Sequence, residues 1–329
     1  MKAHVHCVII GFCSKTSKYS KALKTLYYSE KGGIEARHIN PYLLDAPDII
    51  IPSRNRAICN IPNMTSGNKF ADGGHLILTE EDYLIFQKYE PQALKYIKPL
   101  IGAAEFIKRK TRWCLWLKDA EPGELHRCPM VLERIRKCKE SREQSIAEGI
   151  RKFASTPTLF AQITQPLNCP CLIIPQVSSQ RRRYVPIGYL DGDTICTDKL
   201  RIVPNAKIYH FGILTSNVHM AWMRAICMRM KSDYSYSRDI VYNNFPWPKP
   251  TDEQKTKIEQ TAQAILDARA LYPDSSLADL YDELTMPVEL RKAHQDNDRA
   301  VMAAYGFPVK TMKESQCVAE LFKLYQKLV

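Results

Sequence analysis

A short apolar run opens the chain, because HVHCVIIGF covers residues 4–12 and is rich in β-branched residues. Runs that are apolar at consecutive positions over this length are typical of strands buried on both faces of a sheet. The segments that follow show no matching runs that would supply its neighbours. We therefore expect residues 1–15 to hold an isolated strand of a sheet that the rest of the chain does not contain.

The middle of the chain mixes strand and helix patterns. Alternating segments at 24–39 flank a Gly32-Gly33 turn, and Thr79 marks a box-like helix start. A strand is predicted at Arg112–Leu117, and charged helical periodicity follows at 120–155. Short strands then dominate up to residue 209, with the sequences TLFAQIT, CLIIP, YVPIGYL, TICT and LRIVPN.

Helical periodicity governs the last third. Thr215-Ser216 offers an N-cap for a long amphipathic helix that continues through Arg229. A Pro-rich connector at 245–250 precedes another helix, which Thr251 opens with a capping box, and three shorter helices follow over 275–328. The predicted fold class is α+β, in three parts: the isolated strand at 1–15, a strand-rich mixed domain at 16–249 and a helical region at 250–329.

The composition is that of a foldable chain, with 329 residues of which 45% are apolar and 25% charged. No stretch approaches the roughly 18 consecutive apolar residues of a membrane span, and Val8–Phe12 is shorter than a signal-peptide core. The 11 cysteines are odd in number and scattered, which indicates reduced thiols rather than a disulfide framework. We expect a cytoplasmic protein with no membrane partner.

The charge makes a polyanion the first partner to consider, since 47 Lys+Arg face 35 Asp+Glu for a net charge of +12. Basic residues cluster at 108–112, on a predicted helix at 134–142, and at 181–183. On the helix, Glu133 and Glu140 provide partners at i,i+3 and i,i+4 spacing, which favours a solvated face. The consecutive arginines at 181–183 are different, because guanidinium groups bind phosphates and guanine edges in bidentate geometry.

Catalytic motifs are missing. The chain has no Pro-Pro dipeptide, which the Asn/Asp-Pro-Pro-aromatic tetrad of amino-methyltransferases requires, and Gly73-Gly74 has the setting of a turn rather than of a nucleotide loop. His4 and His6 lack accompanying ligands, and Cys169-Pro170-Cys171 lacks the spacing of a zinc site. We therefore expect no catalytic residue, cofactor or metal in this chain alone.

Longer stretches across the chain carry a family resemblance, and Asn243–Pro248 is an aromatic-proline signature among them. The stretches are AHVHCVIIGF (3–12), INPYLLDAPD (39–48), GNKFADGG (67–74), RWCLWL (112–117), VSSQRRRYVPIGYL (177–190), HFGILTSNVHMAWMR (210–224), KSDYSYS (231–237), VYNNFPWP (241–248) and SLADLYDELTMPVELRKAH (276–294). In this order they resemble the C-terminal part of MmeI-like type II (type IIG) restriction-modification polypeptides. These join an adenine-N6 DNA methyltransferase to its target-recognition domain.

The resemblance implies that HVHCVIIGF belongs to the last strands of the methyltransferase sheet, and that the catalytic tetrad and cofactor loop lie upstream. It implies a truncated or split product that carries the recognition half. This half would bind double-stranded DNA, while a methyltransferase domain in cis or in trans flips the target adenine and uses S-adenosylmethionine. Gln180 stands where relatives often have Glu, and Ser235 where Arg is common, so the recognised sequence would differ if these residues contact bases.

The DNA-binding residues are predicted from this resemblance and from side-chain chemistry. Phosphate or guanine contacts are predicted for Arg181, Arg182, Arg183, Lys231 and Arg238, and base reading for Gln180, Ser235, Ser237, Asn243 and Asn244. For the two asparagines, turn and capping chemistry is an equally good interpretation. A different class of function also stays open: the helices from 251 onward could be an interaction module that docks on a catalytic subunit, with the basic segments serving solubility.

Overall fold

A computed structural model describes residues 8–27 and 32–329. The strands are β1 (Lys24–Tyr27), β2 (Gly33–Ala36), β3 (Thr65–Ser66), β4 (Ile77–Leu78), β5 (Ile97–Ile101), β6 (Arg112–Leu115), β7 (Cys171–Pro175), β8 (Val177–Ser178), β9 (Gly188–Leu190), β10 (Ile195–Cys196), β11 (Leu200–Pro204), β12 (Met228–Met230) and β13 (Asp233–Ser235).

The helices are α1 (Glu80–Tyr89), α2 (Ala103–Lys108), α3 (Pro122–Leu125), α4 (Pro129–Glu143), α5 (Glu148–Arg151), α6 (Ile208–Leu214), α7 (Asn217–Ile226), α8 (Asp252–Ala270), α9 (Leu277–Leu280), α10 (Val288–Ala304) and α11 (Glu314–Gln326). Two 3-10 turns, Pro91–Tyr96 and Lys152–Ser155, and one π-helical turn, Arg238–Tyr242, complete the regular structure. The predicted α+β class with a helical C-terminal region is confirmed.

The strands form several small sheets. One has the order β10-β5-β6-β4, a second β3-β11-β7-β9, a third β12-β13-β8, and β1 pairs with β2 alone. All pairings are antiparallel except that of β10 with β5. The predicted alternating segments around Gly32-Gly33 are thus the two strands of the β1–β2 hairpin.

The predicted N-terminal strand is not present in residues 8–12. These residues have no regular structure, and Ile9 and Phe12 are 97% and 94% exposed. The rest of the predicted run, 4–7, lies outside the described residues. The physical reason is that no neighbouring strand in the described chain pairs with this segment, and an apolar run becomes a buried strand only when partners cover its faces.

Two of the predicted strands in the 157–209 region are wrong or too long. TLFAQIT forms no strand, although Phe160 and Ala161 are buried and Gln162 makes an isolated bridge to Lys69. YVPIGYL is a strand only at its end, Gly188–Leu190. In both segments an irregular backbone places apolar side chains in the core. Such a segment has the same apolar composition as a buried strand, so the sequence pattern does not distinguish the two.

The predicted capped starts of α7 and α8 are confirmed. The Ser216 side chain accepts from the N–H of His219 at the start of α7, and Thr251 and Gln254 form a reciprocal capping box at the start of α8. The α7 helix nevertheless ends at Ile226, three residues before the predicted end. Residues 228–230 instead form β12, because pairing with β13 satisfies their backbone groups.

The largest core joins both sides of the Pro-rich connector. Trp222 and Tyr242 from one side pack in the same cluster as Ile258, Leu321 and Phe322 from the other. Helix α8 packs on α6 and α10, and α11 packs on α7. The helices after residue 250 therefore bury their apolar faces against the preceding strand-rich part of this chain.

Candidate nucleic-acid interface

The β12-β13-β8 sheet brings two groups of predicted site residues together. Strands β12 and β13 are joined by a two-residue loop, Lys231-Ser232, in which Lys231 has a φ of 57°, in the left-handed region. Residues 180–183, here called the arginine segment, are separated from the end of β8 by Ser179 alone, and the N–H of Gln180 donates to Asp233 Oδ1 at 3.3 Å. The arginine segment and the β12–β13 hairpin consequently lie side by side.

Most of the cationic groups here face solvent. Gln180, Arg181, Arg183 and Lys231 are exposed. Arg182 is half-buried, and this burial lowers the pKa of its guanidinium, against the opposing effect of the carboxylates of Asp233 and Asp282. An arginine remains protonated at neutral pH even so. The arginine segment and Lys231 therefore present four positive charges close together.

Tyr184 anchors the arginine segment to the C-terminal helices. Its hydroxyl donates to Asp298 Oδ2 at 2.7 Å, and Asp298 Oδ1 accepts from the N–H of Asn217 at 2.7 Å. The Tyr184 ring stacks on His294, with the ring centroids 4.1 Å apart. Burial raises the pKa of Asp298 to about 6, although both hydrogen bonds act to lower it. Since Tyr184 follows Arg183 directly, helix α10 helps to hold the basic segment in place.

Arg224 fixes the backbone of the arginine segment from a second direction. Its Nε and one Nη contact the two carboxylate oxygens of Glu314 at 2.8 Å each, and the other Nη donates to the carbonyl of Arg183 at 3.1 Å. A cleft of about 480 Å³ separates the segment from the start of α11, with Lys313 on its far side. The segment is thus exposed at its side chains but held at its backbone.

Three further predicted residues lie on β13 and the turn after it, and they are less accessible. Ser235 is buried in the central strand, and the Ser237 hydroxyl caps the π-helical turn by accepting from the N–H of Ile240 at 3.3 Å. Arg238 is partly buried and pairs with its neighbour Asp239 at 2.6 Å.

Asn243 and Asn244 both use amide groups for hydrogen bonds inside the protein, and these contacts give their predicted base reading no support. The Asn243 amide donates to the carbonyl of Arg54 at 2.7 Å. The fully buried Asn244 accepts from Arg54 Nε at 2.9 Å and donates to three carbonyls, those of Pro52, Asp239 and Ile240. These contacts favour the turn-and-capping interpretation, because they tie two chain segments together inside the protein.

Helix α4 largely has the solvated, charge-paired basic face that the sequence indicates. Arg136 pairs with Glu133 and Glu140, Lys137 with Glu133 and Lys139 with Glu143. Arg142 is the exception, because it is fully buried and donates to carbonyls of five residues: Phe70, Ala71, Phe153, Thr156 and Leu159. The helix offers little unpaired positive charge to a ligand.

The sequence analysis did not select Arg224 or Arg229 as site residues. Arg229 stacks on Tyr234 with its guanidinium carbon 4.1 Å from the ring centroid and donates to the carbonyl of Ser232 at 3.1 Å. A signal for it exists in the alternation Met228-Arg229-Met230-Lys231, which has the period of an exposed strand. The helical periodicity of the preceding residues obscured that signal.

Side chains of the types that ligate metals are dispersed among the described residues. In residues 8–27 and 32–329 no cluster of three His, Cys, Asp or Glu side chains is placed to hold a metal ion. Cys169 and Cys171 have their Sγ atoms 3.9 Å apart, and burial raises the pKa of Cys171 to about 12. His4 and His6 lie outside the described residues. No helix in the described part of the chain is long and apolar enough to cross a membrane.

Gly73-Gly74 is a turn, as predicted. The Asp72 carboxylate accepts from the N–H groups of Gly74 and Leu76 at 3.1 and 2.7 Å. These backbone donors are therefore occupied within the protein. The turn does not fit a loop that would hold the cofactor S-adenosylmethionine.

Comparison with known proteins identifies the family. The family description "MmeI, target recognition domain" matches residues 45–249, and "MmeI, C-terminal domain" matches 250–329. DNA methyltransferase A of Bacillus subtilis (strain 168) is 36% identical over 326 residues, which cover 99% of this chain and 36% of that protein.

The solved structure of the type IIL restriction-modification enzyme MmeI in complex with DNA is also similar. It superposes with a TM-score of 0.87 at 43% identity, over 92% of this chain and 41% of that one. This chain thus spans between about a third and two fifths of the relatives it matches. On these matches, the chain belongs to the MmeI family, of which it comprises the target recognition domain followed by the C-terminal domain.

Proposed function

We propose that this chain binds duplex DNA sequence-specifically, as the target-recognition part of an adenine-N6 DNA methyltransferase or restriction-modification enzyme. The observation that carries the proposal is the unpaired charge of the arginine segment and Lys231. Among the described residues, none of these four cations lies within 4.0 Å of a carboxylate oxygen, whereas the cations of α4 at 136–139 are paired. Closely spaced unpaired guanidinium groups suit phosphates and guanine edges.

The relatives support the same proposal. The similar MmeI structure is of a complex with DNA, and the similar Bacillus subtilis protein is called a DNA methyltransferase. Methyl transfer, and the S-adenosylmethionine that supplies the methyl group, would belong to a methyltransferase domain acting in cis or in trans. We place the protein in the cytoplasm, where such an enzyme meets DNA. This chain would bind the duplex around the target base.

The alternative, a helical module that docks on a catalytic subunit, has less support. The apolar faces of α8, α10 and α11 are already buried, since Ile258, Leu290 and Leu321 lie in the core shared with the recognition domain. A docking helix would instead leave such a face uncovered. The C-terminal helices therefore serve best as a support for the arginine segment.

The test replaces Arg181, Arg182 and Arg183 by Ala in the full chain. We expect weaker binding to duplexes of every sequence, with a salt dependence reduced by about 0.9 per lost phosphate contact. Fluorescence anisotropy on a labelled duplex, recorded over a series of salt concentrations, measures both quantities. Thermal unfolding of the variant shows whether the Tyr184 anchor has survived the change.

The matched control removes the same charge from another place, by changing Arg136, Lys137 and Lys139 to Ala. These three cations are exposed and paired with Glu133, Glu140 or Glu143. The control should bind DNA nearly as the unmodified chain does. Equal losses in the two triple variants would refute a localised interface and leave only general attraction of a basic protein to DNA.

A further inference from the structure

Two large apolar side chains lie exposed on the edge strand of the β12-β13-β8 sheet. Met228 and Met230 are 61% and 55% exposed. Exposed apolar residues on an edge strand are disfavoured in proteins, because the edge is open to pairing with other chains. Their presence beside a cluster of unpaired cations therefore calls for a partner that is both apolar in places and anionic.

The strand register places both methionines on one face of the hairpin. Met228 lies opposite Ser235 and Met230 opposite Asp233, so their side chains share the face of Ser235. Arg229 points to the other face, where it stacks on its cross-strand partner Tyr234. The methionine face is hence free of the stacked guanidinium, and Ser235, which shares this face, is itself buried.

The surrounding charge favours DNA as the occupant. Lys231 stands at the tip of the hairpin, and the arginine segment lies alongside, tied to Asp233 by the N–H of Gln180. A DNA groove has the complementary arrangement, with base edges at its floor and phosphates along both rims. A two-stranded β-ribbon fits the major groove, whose width is about 12 Å. Thymine is the base whose 5-methyl group offers an apolar contact there.

We propose that the β12–β13 hairpin enters the major groove and that Met228 and Met230 contact thymine 5-methyl groups, with the arginine segment on the flanking phosphates. Methionine suits this role because its unbranched, polarisable thioether adapts to irregular apolar surfaces. The proposal rests on the proposed function, since it presupposes that the chain binds duplex DNA. It adds the groove, the element that enters it and the chemical group that is read.

The experiment compares two double variants of the full chain, Met228→Ser/Met230→Ser and the control Leu84→Ser/Ile85→Ser. Leu84 and Ile85 are also an exposed apolar pair, 55% and 45% accessible, but they lie on α1. The probe is a duplex pool with a randomised centre, enriched on the unmodified chain. The pool is then prepared either with thymidine or with deoxyuridine, which pairs identically but lacks the methyl group.

For the unmodified chain and the control, we expect deoxyuridine to weaken binding by about fourfold for each methyl group that is buried. The methionine variant should bind the thymidine pool more weakly by a similar factor and should not distinguish the two pools. Thermal unfolding of each variant checks that its fold is intact.

Three results would overturn the proposal. The pools could bind the unmodified chain equally, the methionine variant could keep its preference for thymidine, or size-exclusion chromatography could show that the methionines hold two copies of the chain together. In each of these cases arginine-dependent DNA binding would persist, so the proposed function would stand. Failure of the unmodified chain to bind any duplex would instead refute the proposed function as well.

Discussion

At the scale of single residues, polar side chains that are conspicuous in the sequence prove to be internal connectors. Arg142 belongs to a basic cluster by sequence, yet it is fully buried and bonded to main-chain carbonyls. Asn244 belongs to the aromatic-proline signature, and its amide joins the loop at Pro52 to the π-helical turn. A buried polar group of this kind stabilises a unique arrangement only while all of its hydrogen bonds are made.

Asn244→Ala tests this assignment. The change removes the amide that bonds to three carbonyls and to Arg54 Nε, and of these the Asp239 carbonyl still accepts from the N–H of Arg54. We expect the free energy of unfolding to fall by about 2–4 kcal/mol. Urea unfolding measures this loss. The folded variant should keep the sequence preference of the unmodified chain on DNA. Asn60→Ala, at an exposed asparagine, should change neither quantity. An altered preference at unchanged stability would restore Asn244 as a base reader.

At the scale of elements, the helix starts are determined locally. The capping boxes Thr79/Asp82 of α1 and Thr251/Gln254 of α8 occur where the sequence pattern predicts them. The reason is that a cap satisfies backbone N–H groups with side chains three residues away, without any help from the rest of the fold. Helix α7 shows the limit, because its end depends on the β12–β13 hairpin, in which β13 also pairs with β8, a strand far away in sequence.

Thr251→Ala should lower the free energy of unfolding by about 1 kcal/mol through loss of the cap on the N–H of Gln254. Chemical denaturation provides the measurement. Thr256→Ala is the matched control within the same helix, since its hydroxyl bonds only to the carbonyl of Asp252 one turn back. Alanine has the higher helix propensity, so the control should be neutral or slightly stabilising. Equal effects of the two changes would mean that the cap contributes nothing measurable.

At the scale of the whole molecule, the recognition part and the C-terminal helices are joined by a buried polar network as well as by the shared core. Tyr184, directly after the arginine segment, bonds to Asp298 of α10 and stacks on His294 of the same helix. The position of the arginine segment is thereby coupled to the stability of the helical region. This coupling gives the helices a supporting role for the proposed DNA-binding surface, although they themselves carry none of the predicted contacts.

The buried Asp298 makes this junction sensitive to pH. Its folded-state pKa of about 6 lies above the ordinary 3.8, so its contribution to stability is fully present below about pH 4 and is lost as the pH rises through about 6. The ceiling on this effect is about 3 kcal/mol, from about 1.4 kcal/mol per pKa unit. Asp298→Asn, which cannot ionise, should therefore show a smaller fall in unfolding free energy between about pH 4 and about pH 7.

Urea unfolding at the two pH values measures the difference. Asp296→Asn provides the control, because Asp296 lies on the same helix but is partly exposed and pairs with Arg299. Its pH dependence should match that of the unmodified chain. The same pH dependence in the Asp298 variant would show that this carboxyl does not titrate across the range.

The sequence by itself determined those features that depend on short-range chemistry. The α+β class, the capped starts of α7 and α8, the strand CLIIP and the contiguity of Arg181–Arg183 follow from periodicity, capping residues and local charge. The family resemblance was likewise contained in the order of short motifs, which the match to the MmeI domains at 45–249 and 250–329 confirms. Each single capping residue, strand run or motif lies within a few residues along the chain.

Only the tertiary structure decided which polar side chains remain available to a ligand. Asn243 and Asn244 are buried by a loop about 190 positions away in sequence, and Arg142 by carbonyls on both sides of α4. The Val8–Phe12 run is apolar enough for a strand but finds no partner in the described chain. The physical reason is the same in these cases. Burial and strand pairing depend on distant segments that compete for the same backbone groups and apolar faces. A local pattern does not show which of these segments will pack against it.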